Sequence, residues 1–517
     1  MELLVTSSQM KNYEKNTINN VGIPALVLME RAAVSFVDFL ESDILESKKS
    51  TIVVVCGKGN NGGDGFAIAR VLRERDYRVS LVFPFKENEC SAECKTQYNI
   101  AKNLNFTVHD KIPAGNYDVL VDALLGIGLN GVITGDLRNL IDLINSCHGE
   151  TVKKVVSVDI PSGIHSDTGK ICGCAIEADA TVTFGYKKAG LLLGEGGKHC
   201  GKLHLADIGI YPRKEKVNSV FKDALSQNPM LTKSDLGNVF LTPEKSDFEL
   251  FPKRDPLGHK GTFGRVLCVT GSPEMPGAAI LNGWSVLCSG AGLVHIMTEK
   301  SVKEIVLNNL PEATVSDYDE LDNDALLKKI GDADCVVLGC GLTQGDRAKE
   351  LLEFFMTNCP KPLVLDADGL NILAANLDLL SKRKRDGFAT ILTPHPGEFK
   401  RLFPGENWED TETCKKLASQ YGCILIAKNA RTIVTDGNRV MINSSGSDAL
   451  ATAGSGDILA GILGAFSCVC KDKFFAAYYA VYLHGLAGEY AAANKSNFSV
   501  TATDILDGIC GVIKEVM

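Results

Sequence analysis

The chain lacks any stretch of the ~20 uninterrupted apolar residues that a membrane-spanning helix requires. Its most apolar candidate, Ala476–Gly488, is short and contains His484. It also lacks an excess of positive charge. Its 54 Lys and Arg stand against 63 Asp and Glu, a net charge of −9, which disfavours a broad nucleic-acid surface. No C-x-x-C pair occurs among its 17 cysteines, which argues against a zinc ribbon or a thioredoxin-type centre. Cys172 and Cys174, and Cys468 and Cys470, are one residue apart, and Cys90 and Cys94 are separated by three. Several cysteines lie in apolar runs, as Cys56 does after Thr51–Val55, and read as small buried hydrophobes. The opening Met1-Glu2-Leu3-Leu4, soon followed by Lys11, Glu14 and Lys15, is unlike a secretory leader. Low-complexity tracts and short tandem repeats are missing too. These absences point to a reducing cytoplasm, with neither membrane nor nucleic acid as partner.

What is present is an ordinary globular composition, 45% apolar and 23% charged, over 517 residues. That length predicts two or three domains. In the first half, strand-like runs at Thr51–Cys56, Arg78–Phe83, Asp118–Leu125 and Val155–Ile160 alternate with helical patterns at Phe66–Arg75, Ala92–Leu104 and Leu137–Ser146. Two helical stretches, near Ser8–Asn20 and Pro24–Leu40, precede them. Such alternation predicts βαβ units and a mainly parallel sheet. The pattern weakens between about Tyr211 and Lys260, a polar stretch carrying Pro212, Pro229, Pro243, Pro252 and Pro256. The junction is expected near residues 212–228, giving domains 1–215 and 225–517. A second α/β pattern follows, with strands at Gly264–Thr270, Leu293–Thr298, Cys335–Gly339, Pro362–Asp366, Thr390–Thr393 and Ile424–Ala427. Helices fit Gly277–Ser289, Arg347–Asn358, Thr411–Tyr421, Gly456–Ser467, Lys473–Ala493 and Thr503–Val516.

The first strand runs into Gly57-Lys58-Gly59-Asn60-Asn61-Gly62-Gly63-Asp64-Gly65. Glycines allow close backbone approach and positive φ, and the helix start beyond them favours phosphate. The segment matches neither the dinucleotide fingerprint nor a Walker loop, and a tight turn alone would also account for it. Two further strand exits resemble it. One carries Asp122 and ends in Gly126-Ile127-Gly128-Leu129-Asn130-Gly131; the other carries Asp159 and ends in Pro161-Ser162-Gly163. Ligands of open parallel sheets bind beyond the carboxyl ends of strands, so three such exits suggest one shared site. Asp159 lies in an apolar run, where an unpaired charge is costly. It is either a turn cap or a functional base.

In the second half, Ala453-Gly454-Ser455-Gly456-Asp457 precedes an apolar helix. Small residues there expose consecutive N–H groups able to hold a phosphoryl group. Asp457 is placed to take a proton, although an aspartate at a helix start is also an ordinary dipole partner. His395, within Thr393-Pro394-His395-Pro396-Gly397-Glu398, reads as a packed or turn histidine when taken alone. Asp366 and Asp368 either cap the next helix or organise magnesium and phosphate.

Asn60–Gly65, Asp122-Ala123-Leu124-Leu125-Gly126 and Val158-Asp159-Ile160-Pro161-Ser162-Gly163 together resemble the NAD(P)H-hydrate epimerase family, over about residues 5–212. The second half, over about residues 229–517, resembles the ADP- or ATP-dependent NAD(P)H-hydrate dehydratases through His259-Lys260-Gly261, Gly339-Cys340-Gly341-Leu342, Leu365–Asn371, Thr393–Glu398 and Ala453–Asp457. The resemblance implies an N-terminal Rossmann-like three-layer sandwich and a C-terminal ribokinase-like α/β domain. It also implies repair of the hydrated coenzymes NADHX and NADPHX. The first domain would interconvert their R and S forms; the second would dehydrate the S form at the expense of ADP, with ATP as an alternative, giving AMP and phosphate.

Carried over, Asn60, Asn61, Gly62, Gly63, Asp64 and Gly126, Ile127, Gly128, Leu129, Asn130, Gly131, Val132 would hold the substrate. Asn61, Asp122 and Ser162 would ligate potassium, and Asp159 would contact the reacting ring. In the second domain Ala278, Gly341, His395 and Asp457 would meet the hydrated dinucleotide. Lys428, Asn429, Ala430, Arg431, Thr432 and Gly456 would meet the adenine nucleotide, with magnesium. A homo-oligomer is expected. Ile127, Cys340 and Asn429 stand where the family usually has threonine, proline and glycine. The competing reading is a ribokinase-like small-molecule kinase fused to a nucleotide-binding domain.

Overall fold

The computed structural model describes residues 1–211 and 239–517. The expected junction at 212–228 lies outside the described residues. Contacts group the chain into two units, one formed by the first half from Leu3 onward and the other by the second half, to which Met1–Glu2 also belong.

The first unit is built on a seven-stranded, wholly parallel sheet in the order Val108–His109, Arg78–Val82, Thr51–Cys56, Tyr117–Ala123, Val152–Val158, Ala180–Phe184, Lys202–Ala206. Its central strands are almost unbrokenly apolar and fully buried (Ile52, Val53, Val54, Val55, Leu120, Val121, Val155, Val156), as strands covered on both faces must be. The chain leaves Thr51–Cys56 to one side, then returns to pair Tyr117–Ala123 on the other. The carboxyl ends of those two strands therefore flank a topological switch point, where open sheets bind ligands. Strands Ala180–Phe184 and Lys202–Ala206 add to the edge and were not foreseen from periodicity.

The second unit repeats the device. Seven parallel strands run Thr314–Asp317, Leu293–Thr298, Arg265–Val269, Cys335–Leu338, Leu363–Leu365, Thr390–Leu392, Ile424–Ala427. Ile433–Thr435 and Arg439–Ile442 continue the sheet antiparallel, and Val239–Thr242 closes onto Arg439–Ile442. The switch point falls between Arg265–Val269 and Cys335–Leu338. Helix Ser455–Val469 packs against that second strand, against helix Pro276–Cys288 and against helix Lys473–Asn494. Its glycines permit the contact: a Cβ on Gly464 would sit 2.7 Å from Val337 and one on Gly461 1.8 Å from the Ser285 hydroxyl.

One expectation needs correction. The helix expected from Phe66 begins at Asn60 and runs Asn60–Glu74, so most of the glycine-rich segment is helix and only Gly57–Gly59 is turn. None of the five glycines has positive φ, and all but Gly59 serve close approach. A Cβ on Gly57 would lie 1.8 Å from the Leu124 carbonyl oxygen, one on Gly62 1.8 Å from the Gly57 carbonyl oxygen, and one on Gly65 2.6 Å from Ala123.

Candidate active sites

At the first switch point Gly57 N–H donates to the Ala123 carbonyl (2.9 Å), stitching the two strand exits together. Asp122, fully buried at the end of its strand, accepts from Ser162 Oγ (2.6 Å) and Ser157 Oγ (2.8 Å) and from the amides of Ser162 (2.9 Å) and Leu124 (3.2 Å). Burial pushes its carboxyl above the usual range, and these bonds pull back. Leu125 joins the group: its amide donates to Ser162 Oγ (2.8 Å), and its carbonyl accepts from Asn61 Nδ2 (3.0 Å). Asn61, Asp122 and Ser162, far apart in sequence, thus meet around one backbone turn.

Asp159 follows the next strand with φ +65°, a conformation that few non-glycine residues adopt. Its Oδ1 accepts from Lys188 Nζ (2.5 Å), Thr183 Oγ1 (3.1 Å) and the Phe184 amide (3.2 Å). Lys188, 1% exposed, also donates to the Phe184 carbonyl (2.9 Å). Asp64 and Glu14 share this field. Burial, then Asp159 and Glu14, push Asp64 well above the usual carboxylate range. Burial raises Glu14 as well, with Lys188 opposing and Asp159 adding to the rise. Glu14 and Lys188 were missed from sequence. Their only cue was polarity beside motif residues that fold to the same place.

The remaining first-unit candidates divide. Asn60 Oδ1 accepts from Ser91 Oγ (2.6 Å). Gly62 and Gly63 are buried and packed, Gly63 against Met29 and Cys94. Gly126, Ile127, Gly128, Leu129, Asn130, Gly131 and Val132 form the loop beyond Leu125. Gly128, Asn130, Gly131 and Val132 are exposed, whereas Ile127 packs on the apolar cluster of Ile160, Ile164 and Leu191. The missing threonine hydroxyl is thus replaced by a hydrophobic anchor.

In the second unit, Gly454 takes a left-handed conformation (φ +87°) and Ser455–Val469 begins immediately after it. The amides of Gly456 and Asp457 fall in the first turn, without intrahelical acceptors. Burial raises Asp457 to about 6, Asp366 adds to the rise, and the Cys340 thiol and Lys428 pull back. Asn282 Nδ2 donates to the Asp457 carbonyl (2.9 Å). Lys428 Nζ donates to Asp366 Oδ1 (2.8 Å) and stands 4.0 Å from Glu398. Thr393 Oγ1 also donates to Asp366 (2.7 Å). Burial works against the Lys428 charge, but Asp366 and Glu398 together more than offset it and raise its pKa. A Cβ on Gly456 would lie 3.4 Å from Asp366 Oδ2 and 3.5 Å from Lys428 Nζ, so helix start, lysine and carboxylates adjoin.

Gly341 (φ +62°) and Ala278 touch at the switch point, since a Cβ on Gly341 would come 2.7 Å from that of Ala278. Thr270 Oγ1, Ser272 Oγ and Asn282 Oδ1 are buried without a protein hydrogen-bond partner. The first two leave the strand Arg265–Val269 directly, and none of the three was foreseen. His395 caps helix Pro396–Leu402: its Nδ1 accepts from the Gly397 amide (3.0 Å) and its Nε2 lies 3.3 Å from Glu398. Asp366 is tied to Lys428, so it is no helix cap. Asp368 pins the Thr343 amide (2.9 Å) and Gln344 (3.2 Å). In the Lys428–Thr432 loop Asn429 and Ala430 are exposed, Arg431 donates to the Ser444 carbonyl (2.9 Å) and Thr432 to that of Asn429 (3.0 Å). Asn429 has no positive φ, so glycine's freedom is not needed there.

A family model described as NAD(P)H-hydrate dehydratase matches residues 266–510. One described as YjeF-related protein N-terminus matches residues 25–190. The bifunctional NAD(P)H-hydrate repair enzyme of Moorella thermoacetica is 33% identical, covering 99% of this chain and 97% of its own. That of Escherichia coli is 30% identical, covering 98% and 93%. The solved ADP/ATP-dependent NAD(P)H-hydrate dehydratase of Bacillus subtilis, co-crystallized with ATP/Mg2+, is 28% identical, covers 56% of this chain and 99% of its own, and has a TM-score of 0.44. With relatives aligned along almost its whole length and both halves matched, the chain belongs to the bifunctional NAD(P)H-hydrate repair enzymes, which unite an epimerase and a dehydratase of hydrated NAD(P)H.

Proposed function

We propose that the first unit's switch point epimerises the R and S hydrates with Asp159 as the base, and that the second unit's switch point dehydrates the S hydrate by phosphoryl transfer from ADP, giving AMP and phosphate. The observation that carries this reading is the placement of Asp457. It is a half-buried carboxyl raised to about 6, and so mostly ionised at neutral pH, at a helix start with free amides, beside a Lys428–Asp366 pair.

Hydroxide is a poor leaving group. Asp457 takes the proton of the C6 hydroxyl as that oxygen attacks the transferring phosphoryl group. The amides of Gly456 and Asp457, with Lys428, stabilise the charge that develops. Phosphate then leaves C6, a proton is lost from C5 to solvent, and the C5–C6 double bond of the nicotinamide ring is restored. His395, Ala278 and Gly341 line the dinucleotide side, and Lys428–Thr432 the adenine nucleotide side. Among the described residues no group of three or more His, Cys, Asp or Glu could hold a metal. Magnesium would arrive on the nucleotide phosphates, as that ion commonly does.

In the first unit, Asp159 removes the C6 hydroxyl proton, so that the centre opens and closes again on either face. Lys188 holds the carboxylate in place. Potassium fits the Asn61–Asp122–Ser162 cluster by the chemistry of its side chains, an amide, a carboxylate and a hydroxyl, each with an oxygen, beside the Leu125 carbonyl. When bound, it would supply positive charge beside the Gly126–Val132 loop, where Asn60–Asp64 also hold the substrate. The free state of the described cysteines supports a reducing, cytoplasmic setting.

The test is incubation with mixed R and S NADPH hydrates, potassium, magnesium and ADP, following recovery of nicotinamide absorbance. Both forms should be recovered, with AMP and phosphate released. Release of a phosphorylated substrate without restored absorbance would overturn the reading in favour of a kinase.

A further inference from the structure

The mechanism leaves unused a thiol pair directly behind the first site. Cys90 is half-buried and Cys94 is fully buried. Cys90 immediately precedes Ser91, the N-cap of helix Ala92–Asn103, and Cys94 stands in the first turn of that helix, so the two thiols are neighbours at one helix start. This short segment grips the glycine turn. The Ser91 amide donates to the Lys58 carbonyl (2.9 Å), Ser91 Oγ to Asn60 Oδ1 (2.6 Å) and Cys94 Sγ to the Gly57 carbonyl (3.7 Å). Lys58 Nζ pairs with Glu89 (2.9 Å). Packing leaves no slack, since a Cβ on Gly63 would lie 3.2 Å from Cys94 Cα and one on Gly62 1.8 Å from the Gly57 oxygen.

We propose that Cys90 and Cys94 form a reversible disulfide under hydroperoxide, and that this bond disables the epimerase site while sparing the dehydratase. The effect on activity rests on the assignment of the Asn60–Asp64 segment to the substrate.

The chemistry balances as 2 RSH + R′OOH → RSSR + R′OH + H2O. Cys90 sulfur attacks the peroxide. An S–O bond forms, the O–O bond breaks, and alcohol departs, leaving a sulfenic acid. Cys94 sulfur then attacks that sulfur. The S–S bond forms, the S–O bond breaks, and the departing hydroxide takes the Cys94 proton as water. Cys90 reacts first because it is the accessible thiol; burial, with Cys90 adding to it, keeps Cys94 protonated. Bonding brings the sulfurs to about 2.05 Å. Cys94 then has no proton for the Gly57 carbonyl, and its sulfur is drawn away from the turn. Displacing the turn by about 1 Å is enough to cost of order 10²-fold in rate.

The experiment uses the full chain treated with tert-butyl hydroperoxide and desalted, then assayed separately for epimerisation of R-NADHX and dehydration of S-NADHX, with peptide mapping of the thiols. The expected result is a Cys90–Cys94 cross-link, epimerisation reduced about 10-fold or more, dehydration within twofold, and recovery with dithiothreitol. Cys90→Ser should match the reduced enzyme and resist peroxide. Free Cys90 and Cys94 after complete treatment, a cross-linked enzyme that epimerises at full rate, or a Cys90→Ser variant equally sensitive to peroxide would each overturn the proposal. A reduced enzyme inactive on R-NADHX would instead count against the site reading, while the mapping still decides whether the cross-link forms.

Discussion

Lys188 Nζ lies 2.5 Å from Asp159 Oδ1, and the lysine is almost wholly buried. The pair fixes the position of the proposed base. Removing the lysine takes away the closest hydrogen-bond donor of a carboxylate in a poorly solvated place. Lys188→Met should therefore slow epimerisation by about 10-fold or more, because the base loses its orientation. Asp159→Asn should slow it by ~10²–10⁴, as loss of a general base does. Rates on R-NADHX measure both effects; an unchanged rate in Lys188→Met would dismiss the lysine's role.

Asp457 offers the matching test in the second unit. A base must be deprotonated, so dehydration should rise through pH of about 6 and level off above it. The Cys340 thiol beside this carboxylate lowers its pKa. A proline at that position offers no side-chain donor. Cys340→Ala should shift the limb to higher pH without abolishing turnover. Asp457→Ala should cut dehydration by ~10³ or more while leaving epimerisation intact. Retention of more than a tenth of the dehydratase rate would rule out the assignment.

The parallel sheets, the glycine-rich strand exits and the motif aspartates were legible because each rests on local pattern: apolar runs ending in small polar residues. The partners of those aspartates were not. Lys188 comes from beyond the next strand, Glu14 from the first helix, and Asn282, which holds the Asp457 carbonyl, from helix Pro276–Cys288. Only the fold brings them together. The glycine segment was readable as a close-approach element but not as helix, because glycine lowers helix propensity, and here tertiary packing overrides it.

Stability should carry a pH signature from the second unit. Burial raises Glu398 to about 7 and Asp457 to about 6. Both values exceed those of an unfolded chain, so the protonated forms favour the fold. Their contribution is complete below about pH 4 and is lost as pH climbs through 6 and 7. Between pH 5 and 8 the two groups together should withdraw on the order of 3 kcal/mol. Glu398→Gln keeps the shape and removes the larger share. The difference in Tm between this variant and the parent chain should favour the variant at pH 8 and shrink at pH 5. A difference that is constant with pH would contradict the buried-carboxyl account.

Two glycines separate ligand contact from packing. Gly59 and Gly128 have open space where a Cβ would project, and neither has positive φ. Alanine is therefore sterically free at both positions, and stability should change by less than about 1 kcal/mol. Gly62 differs, because its Cβ would collide with the Gly57 carbonyl oxygen; Gly62→Ala should lower the first unit's Tm sharply. If the turn and the Gly126–Val132 loop hold the hydrated dinucleotide, the extra methyl at Gly59 or Gly128 meets substrate instead of protein. Epimerase KM should then rise several-fold in Gly59→Ala and Gly128→Ala with Tm unchanged. Unaltered KM in both variants would mean that the substrate does not approach these two glycines and lies elsewhere.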